Sequence, residues 1–147
     1  MKDIEADTVV ADLKTKNNKL SVWAVETDED LNNAFIALGS NCQNLCSIWA
    51  VKIAPSDLDE FSIDEEEGDT PTNGINQNHR NITELTYISL GYVITSLLHS
   101  LQTNLVVKKT KTEMKSLLYE AYRDGKINVE ALSPGVYKEI KKYQSNI

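Results

Sequence analysis

The sequence predicts an α/β fold, in which a small sheet containing a parallel pair of strands is packed by several helices. The main observation is a repeat: the pentapeptide SVWAV at residues 21–25 returns almost unchanged as SIWAV at residues 47–51. Short apolar runs that are rich in valine, isoleucine and tryptophan are typical of buried strands. The length of 147 residues fits a single domain that spans residues 1–147.

A capped helix is predicted between the two pentapeptides. Thr27 or Asp28 is suited to cap its N-terminus, and Gly39 is a natural residue to end it. A strand, a helix and a second strand in so short a stretch predict a right-handed βαβ crossover with parallel, adjacent strands. We therefore expect the pentapeptides side by side, with Trp23 and Trp49 on the same face of the sheet.

Periodic apolar residues predict the later elements. A helix over about 82–102 is apolar around much of its circumference, which indicates the central helix of the core. Its apolar stretch is interrupted by polar residues and is shorter than about 20 residues, which favours a buried helix over a membrane span. A strand is expected at 104–110. It is followed by an amphipathic helix that stops at Gly125 and by a last helix that Ser133 caps.

The N-terminal region has two interpretations. Residues 8–14 fit a short helix that Asp7 caps. They also fit a strand that turns at Asn17 and Asn18 into the first tryptophan strand. The sequence leaves both open.

Charge is unevenly distributed along the chain. The formal net charge is −7, yet residues 1–70 carry 16 acidic side chains and five lysines, a balance of −11. Residues 105–147 carry nine basic and five acidic side chains, a balance of +4. Direct binding of nucleic acid needs a basic surface and is therefore not expected, whereas a cationic partner is.

Residues 55–81 predict a long acidic and asparagine-rich loop within the domain. The run at 57–69 has eight carboxylates in thirteen positions, with Phe61 among its apolar residues. A solvated, partly disordered loop is one interpretation. A divalent-metal site is another, although the order of residues differs from that of an EF-hand. The third is a partner surface, in which apolar side chains anchor and carboxylates steer a basic target.

The predicted partner-binding residues come from this run and from the acidic turn after the first strand. They are Asp57, Asp59, Glu60, Phe61, Asp64, Glu65, Glu66, Glu67 and Asp69, together with Glu26, Asp28, Glu29 and Asp30. The same turn is acidic where a nucleotide phosphate would bind in a βαβ unit, and no glycine-rich phosphate loop is present. No nucleotide site is expected there.

The sequence contains no catalytic motif, so no enzymatic activity, metal or cofactor is predicted. Cys42 and Cys46 lack the further ligands of a zinc site and are interpreted as reduced packing residues. His99 lies near two serines, but no nucleophile elbow accompanies it, which favours a hydrogen-bonded core or boundary histidine. His79 lies beside Arg80 in the asparagine-rich loop, where binding of an anion or a phosphate is one interpretation and the polarity of a loop is an equally good one.

In its size, acidity and lack of a catalytic motif, the chain resembles bacterial toxin-immunity proteins, including those of contact-dependent growth inhibition. The resemblance implies a cytoplasmic inhibitor that covers the active site or substrate surface of a basic, nuclease-type protein toxin. A cytoplasmic location also agrees with the lack of a basic and apolar N-terminal signal.

Two other functions remain open from the sequence. The first is a small enzyme or ligand-binding domain with a pocket at the carboxyl ends of the parallel strands, near Glu26–Asp28 and Ala54–Ser56. The second is self-association, in which the acidic front of one copy meets the basic tail of another. Neither requires a membrane.

Overall fold

The computed structural model describes residues 15–147, which form a mixed α/β fold, as the sequence predicts. The strands are β1 (Leu20–Trp23), β2 (Ile48–Val51), β3 (Ser62–Asp64), β4 (His79–Thr83) and β5 (Val106–Lys109). The α-helices are α1 (Asp28–Ser40), α2 (Tyr87–Gln102), α3 (Lys111–Arg123) and α4 (Pro134–Ser145). Short 3-10 helices occupy Pro55–Leu58, Asn76–Asn78 and Val129–Ala131.

The two tryptophan strands belong to different sheets, so the prediction of a parallel βαβ pair is wrong. β1 lies in a three-stranded sheet of order β1–β4–β3, whereas β2 pairs with β5 in a two-stranded sheet. β3 and β4 are antiparallel, with Ser62 opposite Thr83 and Asp64 opposite Asn81. Each tryptophan strand pairs with a strand from much later in the chain, which a local repeat cannot specify. The pocket expected at the carboxyl ends of a parallel pair therefore loses its basis.

The two tryptophans also have different surroundings. Trp23 is partly buried against a hydrophobic core, and its ring lies edge-on to that of His79 at 5.4 Å. Trp49 is 63% exposed, and the Nζ atom of Lys108 lies 4.9 Å from the centre of its ring. The repeat therefore reflects two strands of similar composition in unlike environments.

Contacts divide the described residues into two compact units, each assembled from three separate segments. The first unit comprises 15–22, 51–64 and 80–106. The second comprises 23–50, 65–79 and 107–147. The boundaries fall within or at the ends of the strands. The single domain over 1–147 stays a prediction.

The core of the second unit lies between α1, α3 and α4. Phe35 of α1, Leu118 of α3 and Ile140 of α4 are almost fully buried in it. Gly39 does not end α1, contrary to expectation, because the helix continues through Ser40. A Cβ at Gly39 would overlap the terminal methyl of Met114, so its role is to allow the close approach of a neighbouring side chain.

The predicted helix ends are otherwise largely confirmed. The Thr27 hydroxyl accepts the backbone N–H of Asp30 at the start of α1, and Ser133 accepts that of Val136 at the start of α4. Gly125, with a φ of 74°, follows α3 in the left-handed conformation that helix stops favour. β5 occupies the expected strand region.

The first unit is built on the three-stranded sheet and α2, with a core of Leu20, Ile82, Leu85 and Val93. The prediction of a central core helix is wrong, because α2 buries only Val93 and Ser100. A sheet of three short strands covers one side of a helix, so apolar residues elsewhere on α2 remain exposed. No helix in the described part of the chain combines the length and apolarity that crossing a membrane requires.

Residues 55–81, which were expected as a loop, contain two 3-10 helices, all of β3 and the start of β4. The side chain of Asn76 organises their middle part: its Oδ1 accepts the backbone N–H of Thr70 at 3.2 Å, and its Nδ2 donates to the carbonyl of the same residue at 3.1 Å. This amide replaces the regular backbone pairing that the segment lacks.

A two-residue turn at Asn17 and Asn18 joins Lys16 to Lys19, as one of the N-terminal interpretations requires. Both asparagines have positive φ values, 54° and 58°, and the flanking lysines exchange two backbone hydrogen bonds. Residues 8–14, whose conformation was left open, lie outside the described residues.

Candidate functional site

The main candidate site is an open groove of about 690 Å³ in the first unit, which we call the acidic groove. Four carboxylates line it: Asp57, Asp59, Glu60 and Glu84. Phe61 and Tyr92 supply two aromatic rings, and its other lining residues are serines and threonines. Among the described residues that line it, none is a lysine or an arginine.

One wall of the groove comes from the segment before β3. The 3-10 helix Pro55–Leu58 carries Asp57, and the turn after it carries Asp59 and Glu60. The backbone N–H of Phe61 donates to the carbonyl of Leu58 at 3.0 Å, which closes this turn. The ring of Phe61 also packs against the core of the first unit, so it holds the acidic turn in place.

A second wall comes from the end of β4 and from α2. Glu84 directly follows β4, and its carboxylate accepts a hydrogen bond from the Ser62 hydroxyl at 3.0 Å. α2 contributes Ser89, Tyr92, Thr95 and Ser96. Thr86 caps α2 through a hydrogen bond from the Ser89 backbone N–H at 3.1 Å, which fixes where this wall begins.

Part of α2 presents apolar surface next to this wall. Tyr92 is 65% exposed and Ile88, one turn earlier on the same helix face, is 71% exposed. Tyr87 at the first position of the helix is 95% exposed. Large apolar side chains exposed together are a feature of interaction surfaces.

The acidic groove brings together four of the predicted partner-binding residues: Asp57, Asp59, Glu60 and Phe61. Asp64 belongs to the same unit, and its carboxylate lies 3.5 Å from the Nζ atom of Lys19. The sequence did not single out Glu84 or Tyr92, because both fell within the helix expected over 82–102. Which side of that helix is exposed depends on how much of it the sheet covers, and the sequence does not record this.

The other predicted acidic residues belong to the second unit. Glu65, Glu66, Glu67 and Asp69 are exposed on the segment that leads into the Asn76 turn. His79 donates from Nδ1 to the carbonyl of Glu66 at 2.7 Å, so this histidine fixes the conformation of the segment.

The acidic turn before α1 has a clear structural role. The carboxylate of Asp30 accepts the backbone N–H of Glu26 at 3.1 Å and that of Thr27 at 3.0 Å. These bonds, with one from the Thr27 hydroxyl, hold the pKa of Asp30 below its usual value, the Glu26 N–H contributing most. Glu26 and Asp28 are exposed, and the Glu29 carboxylate lies 3.6 Å from Lys126.

A smaller hollow of about 280 Å³ lies in the second unit. Glu29, Glu120 and Asp124 line it together with Lys126, so its charge is partly balanced. The Oδ1 atom of Asn33, which also lines it, is buried and has no hydrogen-bond partner among the described residues.

The two cysteines lie close together as free thiols. Their Sγ atoms are 3.8 Å apart, and Cys42 is partly buried while Cys46 is exposed. Burial, together with the neighbouring Cys46 thiol, raises the pKa of Cys42 to about 11. In residues 15–147, no group of three or more histidine, cysteine or carboxylate side chains is placed to hold a metal ion.

His99 is exposed on α2, so its expected place in the core or at its boundary is wrong. Ser100 beside it is buried.

Compared with protein-family models, curated proteins and solved structures, this chain has no match.

Proposed function

We propose that this protein is a protein-binding inhibitor, acting as a cytosolic immunity protein that neutralises a basic, nuclease-type toxin. The observation that carries the proposal is the acidic groove, with four carboxylates and two aromatic rings facing an open space. The excess of acidic side chains in residues 1–70 supports it as well. A concave acidic surface attracts a cationic protein and repels nucleic acid.

The mechanism follows from the needs of a nuclease. Such an enzyme holds nucleic-acid phosphates with lysine and arginine side chains. Carboxylates of the acidic groove would pair with these cations, and the body of the inhibitor would cover the substrate surface. Inhibition of this kind needs neither a cofactor nor a catalytic residue in the inhibitor.

The first experiment identifies the partner and measures how fast it associates. The tagged chain is used to isolate a co-purifying protein, or the product of the adjacent gene is purified and mixed with it. Charge steering predicts an association rate that falls as salt rises through the physiological range. Replacing both Asp59 and Glu60 with lysine should lower the association rate below that of the unmodified chain at the same salt concentration.

The control is Glu130→Lys, which reverses one charge on an exposed residue outside the groove and outside the predicted set, and it is matched to Glu60→Lys alone. It should leave the association rate within about twofold of the original. A tight partner whose rate ignores salt and the lysine substitutions would contradict the proposal that the acidic surface binds.

A ligand-binding domain is the second candidate, and the volume of the groove favours it. About 690 Å³ falls in the range of roughly 300–1,000 Å³ that small-molecule sites occupy. A small cationic molecule that raises the melting temperature, in a preparation to which no basic protein binds, would favour this function over inhibition.

A further inference from the structure

We infer that the acidic groove is a receptor for arginine side chains, carried on an extended segment of the partner protein. The inference deepens the proposed function and rests on it, since it names the chemistry of the partner segment. It rests on three features of the first unit: the charge of the groove, its aromatic rings and the exposed face of α2.

The negative charge of the groove favours the binding of a cation from another molecule. Asp57, Asp59 and Glu60 form no ion pair with any residue in the described part of the chain. Among residues 15–147, Glu84 accepts a side-chain hydrogen bond only from the neutral hydroxyl of Ser62. Carboxylates gathered on one concave surface repel one another, and an incoming cation relieves that repulsion.

The aromatic rings favour a guanidinium over an ammonium group. A guanidinium is planar, donates two parallel hydrogen bonds to one carboxylate and stacks on aromatic faces. Tyr92 is mostly exposed and lines the groove together with the carboxylates, so its ring offers such a face, while Phe61 is partly buried against the core of the first unit. A lysine would use the negative charge but gain less from the ring and from the carboxylate geometry.

The size of the site and its neighbourhood favour a segment over a single free side chain. A groove of about 690 Å³ is large enough for more than one side chain, and it is open to solvent. Ile88 continues the Tyr92 face of α2 by one turn. An apolar residue next to the arginine would pack there, which gives the segment a direction.

The test uses three capped hexapeptides that are identical except at two positions, which carry arginine, lysine or the neutral analogue citrulline. Binding is measured by amide chemical-shift titration at low and physiological salt. We expect the arginine peptide to bind roughly tenfold more tightly than the lysine peptide, and the citrulline peptide not to bind. Shifts should concentrate at residues 57–62, at Glu84 and along the first three turns of α2.

The variants are Glu60→Gln and Tyr92→Ala, each expected to weaken the arginine peptide about five- to tenfold. Glu130→Gln is the matched control and should change nothing. Tyr92→Leu keeps apolar volume without the ring, so it separates stacking from packing if the alanine variant folds poorly. The comparison of the three peptides on the unmodified chain does not depend on whether either Tyr92 variant folds.

Equal affinity for arginine and lysine peptides, or shifts centred on the hollow near Glu29 and Asp124, would overturn the inference. A natural basic partner whose affinity is unchanged by Glu60→Gln and Tyr92→Ala would contradict the arginine-binding role of the groove. The proposed inhibitor function would not be affected by that result. The converse result is specific binding of the arginine peptide to the groove of a chain that captures no basic protein. That result would contradict the inhibitor function and support the arginine-binding role of the groove.

Discussion

At the scale of single residues, Glu84 joins backbone strain to the candidate site. Its φ of 54° places a glutamate in the left-handed region, which non-glycine residues with a Cβ adopt at a cost. The same backbone turn connects β4 to α2 and sets the carboxylate on the rim of the acidic groove. Stability and binding are therefore expected to respond in opposite directions to a change at this residue.

Replacing Glu84 with glycine tests that expectation. Glycine relieves the strain, so the free energy of unfolding should stay the same or rise by up to about 1 kcal/mol despite the lost hydrogen bond to Ser62. Affinity for a cationic partner should fall. Urea denaturation and peptide titration measure the two effects, and a loss of more than about 1 kcal/mol in stability would contradict the strain argument.

The cysteine pair gives a second prediction at this scale. Because the pKa of Cys42 is raised to about 11 and Cys46 is exposed, iodoacetamide at about pH 8 should label Cys46 first. Raising the pH should narrow the difference as the Cys42 thiolate forms. Peptide mapping by mass spectrometry measures both rates, and the urea-unfolded chain, in which the two should react alike, is the control.

At the scale of elements, ion pairs reinforce the packing of α3 against α4. The Glu139 carboxylate lies 2.7 Å from Nζ of Lys115 on α3 and 3.2 Å from that of Lys142 on its own helix. Hydrogen bonds from Lys115, then from Lys142, lower the pKa of Glu139 from 4.5 to about 2. The contact therefore depends on pH.

The sign of that dependence follows from the lowered pKa. An ionised Glu139 favours the folded state at pH values above about 4.5, and this contribution is lost as the pH falls through about 2. The urea midpoint should thus fall more between about pH 5.5 and pH 2.5 in the unmodified protein than in Glu139→Gln. Glu130→Gln should behave like the unmodified protein, and identical pH profiles for all three would show that the pair contributes nothing.

The helices and the strands were not equally predictable from the sequence. Caps such as Thr27 and Ser133 act within three residues, so their effect can be read locally. The partner of Trp23 or Trp49 in a sheet depends on segments about 55–60 residues later, which no local pattern records. For the same reason the sequence supplied the acidic wall of the groove but not the wall that includes Tyr92.

At the scale of the whole molecule, the two compact units are interleaved along the chain. Neither unit is a continuous segment, and the described chain passes from one to the other five times. Unfolding of either unit releases segments whose ends are held in the other. We therefore expect one cooperative transition for the whole chain, as is usual below about 150 residues.

Core substitutions in each unit test this cooperativity. Ile82→Ala in the first unit and Leu118→Ala in the second remove fully buried side chains and should each cost about 2–5 kcal/mol. Within each variant, circular dichroism and the fluorescence of the two tryptophans should give the same urea midpoint. That midpoint should be lower than the midpoint of the unmodified protein. Two separate transitions, with each variant shifting only one, would show that the units unfold independently.

Self-association is tested on the same scale. If the acidic front of one copy met the basic tail of another, the mass in solution would fall from oligomer to monomer as salt rises. Under the proposed function, sedimentation should instead give the monomer mass of 16.5 kDa at low and high salt. A salt-sensitive dimer would favour self-association over inhibition of a toxin.

Interleaving also has a consequence for synthesis on the ribosome. Residues 1–70 emerge before α2 and carry 16 of the 22 acidic side chains, yet α2, which forms the second wall of the acidic groove, is not complete until Gln102. At translation rates of about 5–20 residues per second, the nascent chain is strongly acidic for some seconds before it has a groove. A product stopped before α2 would keep most of the negative charge and still lack the concave surface that selects a guanidinium.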